Sequence, residues 1–80
     1  MSEVVVRFFA AAREAAGCAE TRVASGGTLA EVIAALATNP DLAAVLARST
    51  FLVDGARRSP TDVVPPPGAT IDVLPPFAGG

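Results

Sequence analysis

Residues 28–36, which read Thr-Leu-Ala-Glu-Val-Ile-Ala-Ala-Leu, carry the clearest structural signal in this chain. Thr28 is followed three residues later by Glu31, which is the spacing of a capping box at the start of a helix. The apolar residues that follow recur at helical spacing and share one face, namely Leu29, Val32, Ile33 and Leu36. This segment is therefore predicted to be the main core helix.

The chain on either side of this helix has the patterns of strands and turns. Residues 4–9 alternate with a period of two, which predicts a strand with two distinct faces: Val4, Val6 and Phe8 on one, and Val5, Arg7 and Phe9 on the other. Further strands are predicted at 21–24, 51–53, 56–59 and 70–74. Asp54-Gly55 predicts a hairpin turn between the third and fourth strands. In the last strand Ile71 and Val73 face one way, and Asp72 and Leu74 face the other.

Two shorter helices complete the secondary structure. Residues 10–16 are rich in alanine and end at Gly17, which favours a helix with a left-handed C-terminal cap. Asn39-Pro40 has the pattern of an N-cap followed by proline at the first helical position. The order of elements predicts an α+β fold in which one main helix packs on one face of a mixed sheet. If the first and last strands lie side by side at the centre, this fold is a β-grasp.

Composition excludes several kinds of site. The 80 residues suit a single domain, and they contain no histidine, no lysine and one cysteine, Cys18. An intrachain disulfide, a Cys/His zinc site and a histidine base are therefore excluded, and no metal site is predicted. The net charge of −2 argues against nucleic acid as a partner. No signal peptide or spanning segment is predicted from the sequence, so the expected location is the cytoplasm.

The last six residues are Pro75-Pro76-Phe77-Ala78-Gly79-Gly80, and we call residues 75–80 the tail. The domain is predicted to occupy residues 1–74 and the tail to be extended. A terminal Gly-Gly is consistent with a frayed chain end. It also suits a functional terminus, because residues without side chains can pass through a narrow channel and bring an α-carboxylate into another protein's active site. Its position after a strand, two prolines and one aromatic residue favours function.

The sequence resembles the ubiquitin-like sulfur carriers, and within them the small subunits of molybdopterin synthase (MoaD-like). The resemblance spans essentially all 80 residues. It includes Phe8-Phe9-Ala10 before Arg13-Glu14 and Gly17, the start of the long helix at Thr28-Leu29, and Val53-Asp54-Gly55. The tail that follows Leu74 is its most specific part.

The resemblance implies a non-catalytic sulfur-donor subunit of a heterotetrameric sulfurtransferase, with a ubiquitin-like β-grasp fold. An E1-like adenylating enzyme would activate the Gly80 carboxylate with ATP, and a sulfurtransferase would supply sulfur. The acyl-adenylate and the thiocarboxylate would be intermediates, with no stably bound cofactor. The large synthase subunit would hold cyclic pyranopterin monophosphate, and the sulfur of Gly80 would be transferred to it.

A partner-binding surface follows from strand parity together with the resemblance. If the first and last strands are neighbours, Phe9 and Leu74 share the face opposite the main helix and join Phe77 in one exposed apolar patch, as interfaces often do. In the alternative arrangement Phe9 lies beneath the first short helix. The predicted partner-binding residues are Phe9, Leu74, Pro75, Pro76, Phe77, Ala78 and Gly79.

Other functions share the same tail. A sulfur carrier for cysteine biosynthesis stays open, whereas the proline pair argues against a carrier for thiamine biosynthesis. A ubiquitin-like protein modifier would have the same Gly-Gly end, and a plain binding module would leave the tail unused.

Arg57 and Arg58 depart from the apolar residues that relatives often have after the hairpin. Arg58 is either solvated or pairs with an acidic group of the partner.

Overall fold

The computed structural model describes residues 2–61 and 63–76. Its elements lie close to the bounds that the sequence predicts. In chain order they are β1 (Glu3–Phe8), α1 (Ala11–Ala16), β2 (Glu20–Ala24), α2 (Leu29–Leu36), α3 (Pro40–Leu46), β3 (Thr50–Val53), β4 (Ala56–Arg58) and β5 (Thr70–Leu74).

The strands form one mixed sheet in the order β2-β1-β5-β3-β4. The first and last strands, β1 and β5, are parallel neighbours at its centre, with Val6 opposite Ile71 and Phe8 opposite Val73. The other neighbouring pairs are antiparallel. The condition set for a β-grasp is therefore met, and the predicted fold class is confirmed.

The hydrophobic core lies between the helices and one face of this sheet. The alternating residues of β1, β3 and β5 that face the helices are buried: Val4, Val6, Phe8, Phe51, Val53, Ile71 and Val73. They meet the buried apolar residues of the helices, which are Ala12, Leu29, Val32, Leu36, Leu42 and Leu46. Because one face of the sheet is covered in this way, the residues of opposite parity are left on the other face, which we call the open face.

Helix α2 begins as its sequence predicts. The hydroxyl of Thr28 accepts a hydrogen bond from the main-chain N–H of Glu31 at 3.1 Å, and the Glu31 carboxylate accepts one from the N–H of Thr28 at 2.8 Å. The N–H groups of Leu29 and Ala30 donate to carbonyl oxygens of Val63 and Thr61. The main-chain donors of the first turn, which lack partners within the helix, are thus bonded from outside it.

Helix α1 departs from the prediction at its start, since it begins at Ala11 and not at Ala10. Ala10 has φ 49° and ψ −125°, and the N–H of Ala12 donates to the carbonyl of Phe9 at 3.0 Å. These are the features of a type II′ turn with Ala10 at the position that favours glycine. The chain has to reverse after β1 to reach the helix layer, and this turn overrides the helical propensity of Ala10. The C-terminal cap at Gly17, with φ 77°, is confirmed.

The remaining turns agree with the sequence. The Asn39 side chain accepts from the N–H of Leu42 at 2.8 Å, and Pro40 is the first residue of α3. Asp54 and Gly55 have φ values of 49° and 84°, as a type I′ hairpin requires. None of the helices in the described parts of the chain is long and apolar enough to span a membrane.

Candidate functional site

The open face gathers residues from all five strands. Its residues in β1 have odd numbers, and those in β5 have even numbers. The register places Arg7 of the first set opposite Asp72 of the second. Thr50 lies opposite Leu74, and Leu52 lies opposite both Asp72 and Arg57. The open face therefore carries charged side chains around Leu52 at its centre and apolar ones toward the end of β5.

Phe9 lies at that end, on the open face and not beneath α1. Its N–H donates to the carbonyl of Val73 at 3.3 Å, which extends the pairing of β1 and β5 by one residue. Phe9 is therefore the neighbour of Leu74 across the two strands. Phe9 is 39% exposed, and Leu74 is half-buried. The structure thus brings together two of the residues that the sequence assigns to partner binding.

An ion pair that sequence reasoning missed lies beside them. The Arg7 Nε donates to Oδ1 of Asp72 at 2.6 Å, and Nη2 donates to Oδ2 at 2.9 Å. The hydrogen bonds and charge of Asp72 raise the pKa of the Arg7 guanidinium above its usual value. Asp72 is only 9% exposed, which is unusual for a carboxylate and is explained by its pairing with Arg7. Strand parity placed both residues on one face, but the register that joins them was needed to find the pair.

Arg7 also contacts the apolar patch. Its guanidinium carbon lies 5.6 Å from the centroid of the Phe9 ring, within the range of a cation–π interaction. The carboxylate of Asp72, the guanidinium of Arg7 and the ring of Phe9 therefore form a continuous row of contacts. We call these three residues the Asp72–Arg7–Phe9 row.

The chain leaves the sheet directly beside this row. β5 ends at Leu74, Pro75 is buried and Pro76 is exposed. Phe77, Ala78, Gly79 and Gly80, which the sequence assigns to partner binding and sulfur donation, lie outside the described residues. The described start of the tail therefore adjoins Phe9 and Leu74.

The hairpin register places the two arginines after Asp54-Gly55 on opposite faces of the sheet, and both are exposed. Arg57 pairs with Leu52, whose side chain lies on the open face. Arg58 pairs with Phe51, whose side chain is buried in the core on the other face. Antiparallel partners point to the same face. Arg57 is therefore the residue placed to meet a partner on the open face, and Arg58 is not.

The single cysteine and the acidic residues lie apart from this surface or are scattered. Cys18 is exposed in the turn between α1 and β2 and is a free thiol. Within residues 2–61 and 63–76, no three histidine, cysteine, aspartate or glutamate side chains come together in a way that would hold a metal ion. Among the described residues, the candidate functional side chains therefore lie mainly on the open face.

Comparison with known families gives one match of nearly full length. The model of the ThiS family matches residues 6–80, which include the whole tail. A comparison with curated proteins gives no match.

Solved structures share the fold over nearly the whole chain. Small archaeal modifier protein 1 from Methanosarcina acetivorans is 28% identical, with a TM-score of 0.82 over 100% of this chain and 98% of that one. SAMP1 from Haloferax volcanii is 24% identical, with a TM-score of 0.82 over 98% and 99% of the two chains. A chain in the complex of subunits 1 and 2 of molybdopterin-converting factor from Helicobacter pylori is 24% identical. Its TM-score is 0.73 over 98% and 99% of the chains.

Proposed function

This chain belongs to the ThiS family, and from that premise we propose that it is a sulfur carrier whose reactive group is the carboxylate of Gly80. More narrowly, we propose that it is the small, sulfur-donating subunit of molybdopterin synthase. The observation that carries the proposal is the family match, which extends through residue 80 and so includes Gly79-Gly80.

The proposed chemistry needs nothing from the side chains of this protein. A carboxylate is a poor electrophile, so an adenylating enzyme transfers AMP from ATP to the Gly80 carboxylate and releases pyrophosphate. Sulfide then displaces AMP and leaves a thiocarboxylate directly. When the sulfur arrives as a persulfide of a sulfurtransferase, its terminal sulfur displaces AMP and a thiol reductant cleaves the resulting acyl disulfide to the thiocarboxylate.

The anionic sulfur of the thiocarboxylate attacks the substrate, as thiolates do in preference to thiols. Water then hydrolyses the bond between the Gly80 carbonyl carbon and the sulfur, which leaves the sulfur on the substrate and regenerates the carboxylate. The acyl-adenylate and the thiocarboxylate are intermediates formed on Gly80, and no resident cofactor is required.

The open face supports a division of labour with a partner. Phe9 and Leu74 adjoin the residue from which the tail departs. A partner that covers this patch receives the tail at the same place, so docking and delivery of Gly80 are one event. The proposed partners are the large synthase subunit, which holds cyclic pyranopterin monophosphate, and the adenylating enzyme. The neighbour from Helicobacter pylori, solved as a complex of subunits 1 and 2, supports a large-subunit partner.

A second candidate function is a ubiquitin-like protein modifier. It is favoured by the likeness to small archaeal modifier protein 1, which at 28% identity aligns over the whole chain. Both functions begin with adenylation of Gly80 and differ in the acceptor. A modifier forms an isopeptide bond with a lysine of another protein, whereas a carrier gives up sulfur and regenerates its carboxylate. A carrier for cysteine biosynthesis differs from the leading proposal only in its acceptor enzyme.

Reconstitution tests the proposal. The full chain in its thiocarboxylate form is mixed with the large synthase subunit and cyclic pyranopterin monophosphate, and molybdopterin is measured. We expect product with the full chain and none with a chain that lacks Gly80, which is the matched control. Absence of product with the full chain contradicts the synthase assignment. Lysine-linked adducts, formed with ATP and an adenylating enzyme, would favour the modifier.

A further inference from the structure

Arg7 is held firmly and still has hydrogen-bond donors to offer. A guanidinium carries five N–H donors, and Asp72 accepts from two of its nitrogens. The Arg7 side chain is 49% exposed, whereas that of Asp72 is 13% exposed. The remaining donors of Arg7 therefore point to the solvent side of the open face, while Asp72 keeps it in one orientation.

A partner that covers Arg7 has to satisfy these donors. Burying them against a purely apolar surface would leave N–H groups without acceptors, which is unfavourable. The charge of Arg7 is already balanced by Asp72, so a further carboxylate would leave the covered surface with excess negative charge. A neutral oxygen, such as a main-chain carbonyl or a side-chain amide, satisfies the donors without that excess.

Arg7 also fixes Phe9. The guanidinium lies over the Phe9 ring, and it cannot turn away without losing its two hydrogen bonds to Asp72. Phe9 is 39% exposed, so much of its ring is open to a partner. Holding an exposed aromatic side chain in place before binding reduces the conformational entropy lost when a partner covers it.

On the basis of the proposed function, we infer that Arg7 is a positioning and specificity residue for docking to the large synthase subunit. Asp72 orients Arg7, Arg7 orients Phe9, and the free N–H edge of Arg7 donates to a neutral oxygen acceptor on that subunit. The Asp72–Arg7–Phe9 row thereby selects a partner that pairs an apolar pocket with a carbonyl group beside it.

The test measures the dissociation constant of the large synthase subunit by calorimetry, with the melting temperature of each variant measured separately. The main variant is Arg7→Leu with Asp72→Asn, which removes both charges and leaves no carboxylate without a partner. We expect its affinity to fall by about tenfold, because buried arginines are frequent hot spots. Arg48→Leu, in the exposed turn after α3, is the matched control and retains wild-type affinity.

A double-mutant cycle with Phe9→Ala separates positioning from a general structural effect. If Arg7 acts partly through Phe9, the fold-loss of affinity on removing Arg7 is smaller in the Phe9→Ala background than in the wild type, by a factor of at least about three. Arg7→Lys keeps the charge but lacks the planar fork, so we expect it to restore the melting temperature but not the full affinity. If the double variant fails to fold, the affinity of Arg7→Lys provides the test in its place.

Wild-type affinity in Arg7→Lys, or in the folded double variant, overturns the inference. So does an Arg7 effect on affinity that is unchanged in the Phe9→Ala background. Failure of the wild-type chain to bind the large subunit overturns the proposed function, and the inference with it. Binding of the wild type with no effect of Arg7 overturns the inference alone.

Discussion

The main-chain N–H of Phe9 donates to the carbonyl oxygen of Val73 at 3.3 Å, one residue beyond the end of β1. This bond holds Phe9, the last residue of the alternating segment 4–9, against β5, the strand that leads to the tail. Phe9 is thereby the neighbour of Leu74, although the two lie 65 positions apart in the chain. A surface for a partner and the exit of the chain toward Gly80 are built from the same pair of parallel strands.

Phe9→Ala and Leu74→Asp are expected to weaken partner binding without unfolding the domain. Both side chains lie on the open face, outside the buried core, so the free energy of unfolding should change by less than about 1 kcal/mol for Phe9→Ala. Loss of the aromatic contact should reduce affinity for the large subunit about tenfold. Calorimetric titration and thermal melting measure the two effects.

Val64→Ala is the control for Phe9→Ala, because Val64 is an exposed apolar residue in the loop before β5 and not on the open face. It should leave affinity unchanged. Unfolding of Phe9→Ala, or an affinity equal to that of wild type, would remove Phe9 from the partner surface.

Ala10→Gly is expected to stabilise the protein. Ala10 has φ 49° and ψ −125°, a conformation that an L-residue adopts at a cost of about 1–3 kcal/mol. Glycine relieves that strain but loses up to about 1 kcal/mol through the greater freedom of the unfolded chain. The net gain should be about 1 kcal/mol in chemical denaturation.

The control for this prediction is Ala15→Gly within α1, which has helical backbone and should lose about 1 kcal/mol. If both glycine variants lose stability, Ala10 is not strained and the turn after Phe9 has a different geometry.

Thr28→Ala is expected to destabilise the domain by about 1 kcal/mol, because the N–H of Glu31 loses its acceptor at the start of the main core helix. Urea denaturation measures the change. Thr38→Ala, at an exposed threonine just beyond the end of α2, should change stability by less than about 0.5 kcal/mol. Equal effects of the two substitutions would show that the capping box contributes nothing specific.

Glu31 predicts a dependence of stability on pH. Hydrogen bonds from the main chain and side chain of Thr28 lower the pKa of Glu31 below 4.5 in the folded state. The unfolded chain therefore takes up a proton at higher pH than the folded one, and stability that is fully present above 4.5 is lost as the pH falls through the folded pKa. Glu31→Gln keeps the hydrogen-bond acceptor but does not titrate.

Unfolding free energies measured from about pH 6 to about pH 3 should fall more steeply for the wild type than for Glu31→Gln. The two curves should converge in slope above the ordinary glutamate pKa. Parallel curves over the whole range would mean that the capping box does not favour the charged carboxylate.

The sequence predicts those parts of the fold that depend on local spacing. The capping box at Thr28, the cap at Asn39, the Asp54-Gly55 turn and the two faces of β5 all follow from residues a few positions apart. The central pairing of the first and last strands could be stated only as a condition, since periodicity does not choose between strand neighbours.

The rest depends on tertiary register. The Arg7–Asp72 pair requires the parallel alignment of β1 and β5, and the assignment of Arg57 to the open face requires the two-residue hairpin. Ala10 lies in an alanine-rich segment that favours helix, and only the need to reverse the chain places it in a turn. Each difference arises where a long-range constraint overrides a local preference.

Sulfur donation through Gly80 requires that its carboxylate is exchanged for a thiocarboxylate. Intact mass spectrometry after incubation with ATP, an adenylating enzyme and a sulfur source tests it directly, with the chain lacking Gly80 as the control. The full chain should gain the mass difference of one sulfur over one oxygen, located on its last residue, and the control should not. An unchanged mass of the full chain, under conditions in which the same enzymes modify another sulfur carrier, would contradict sulfur donation through Gly80.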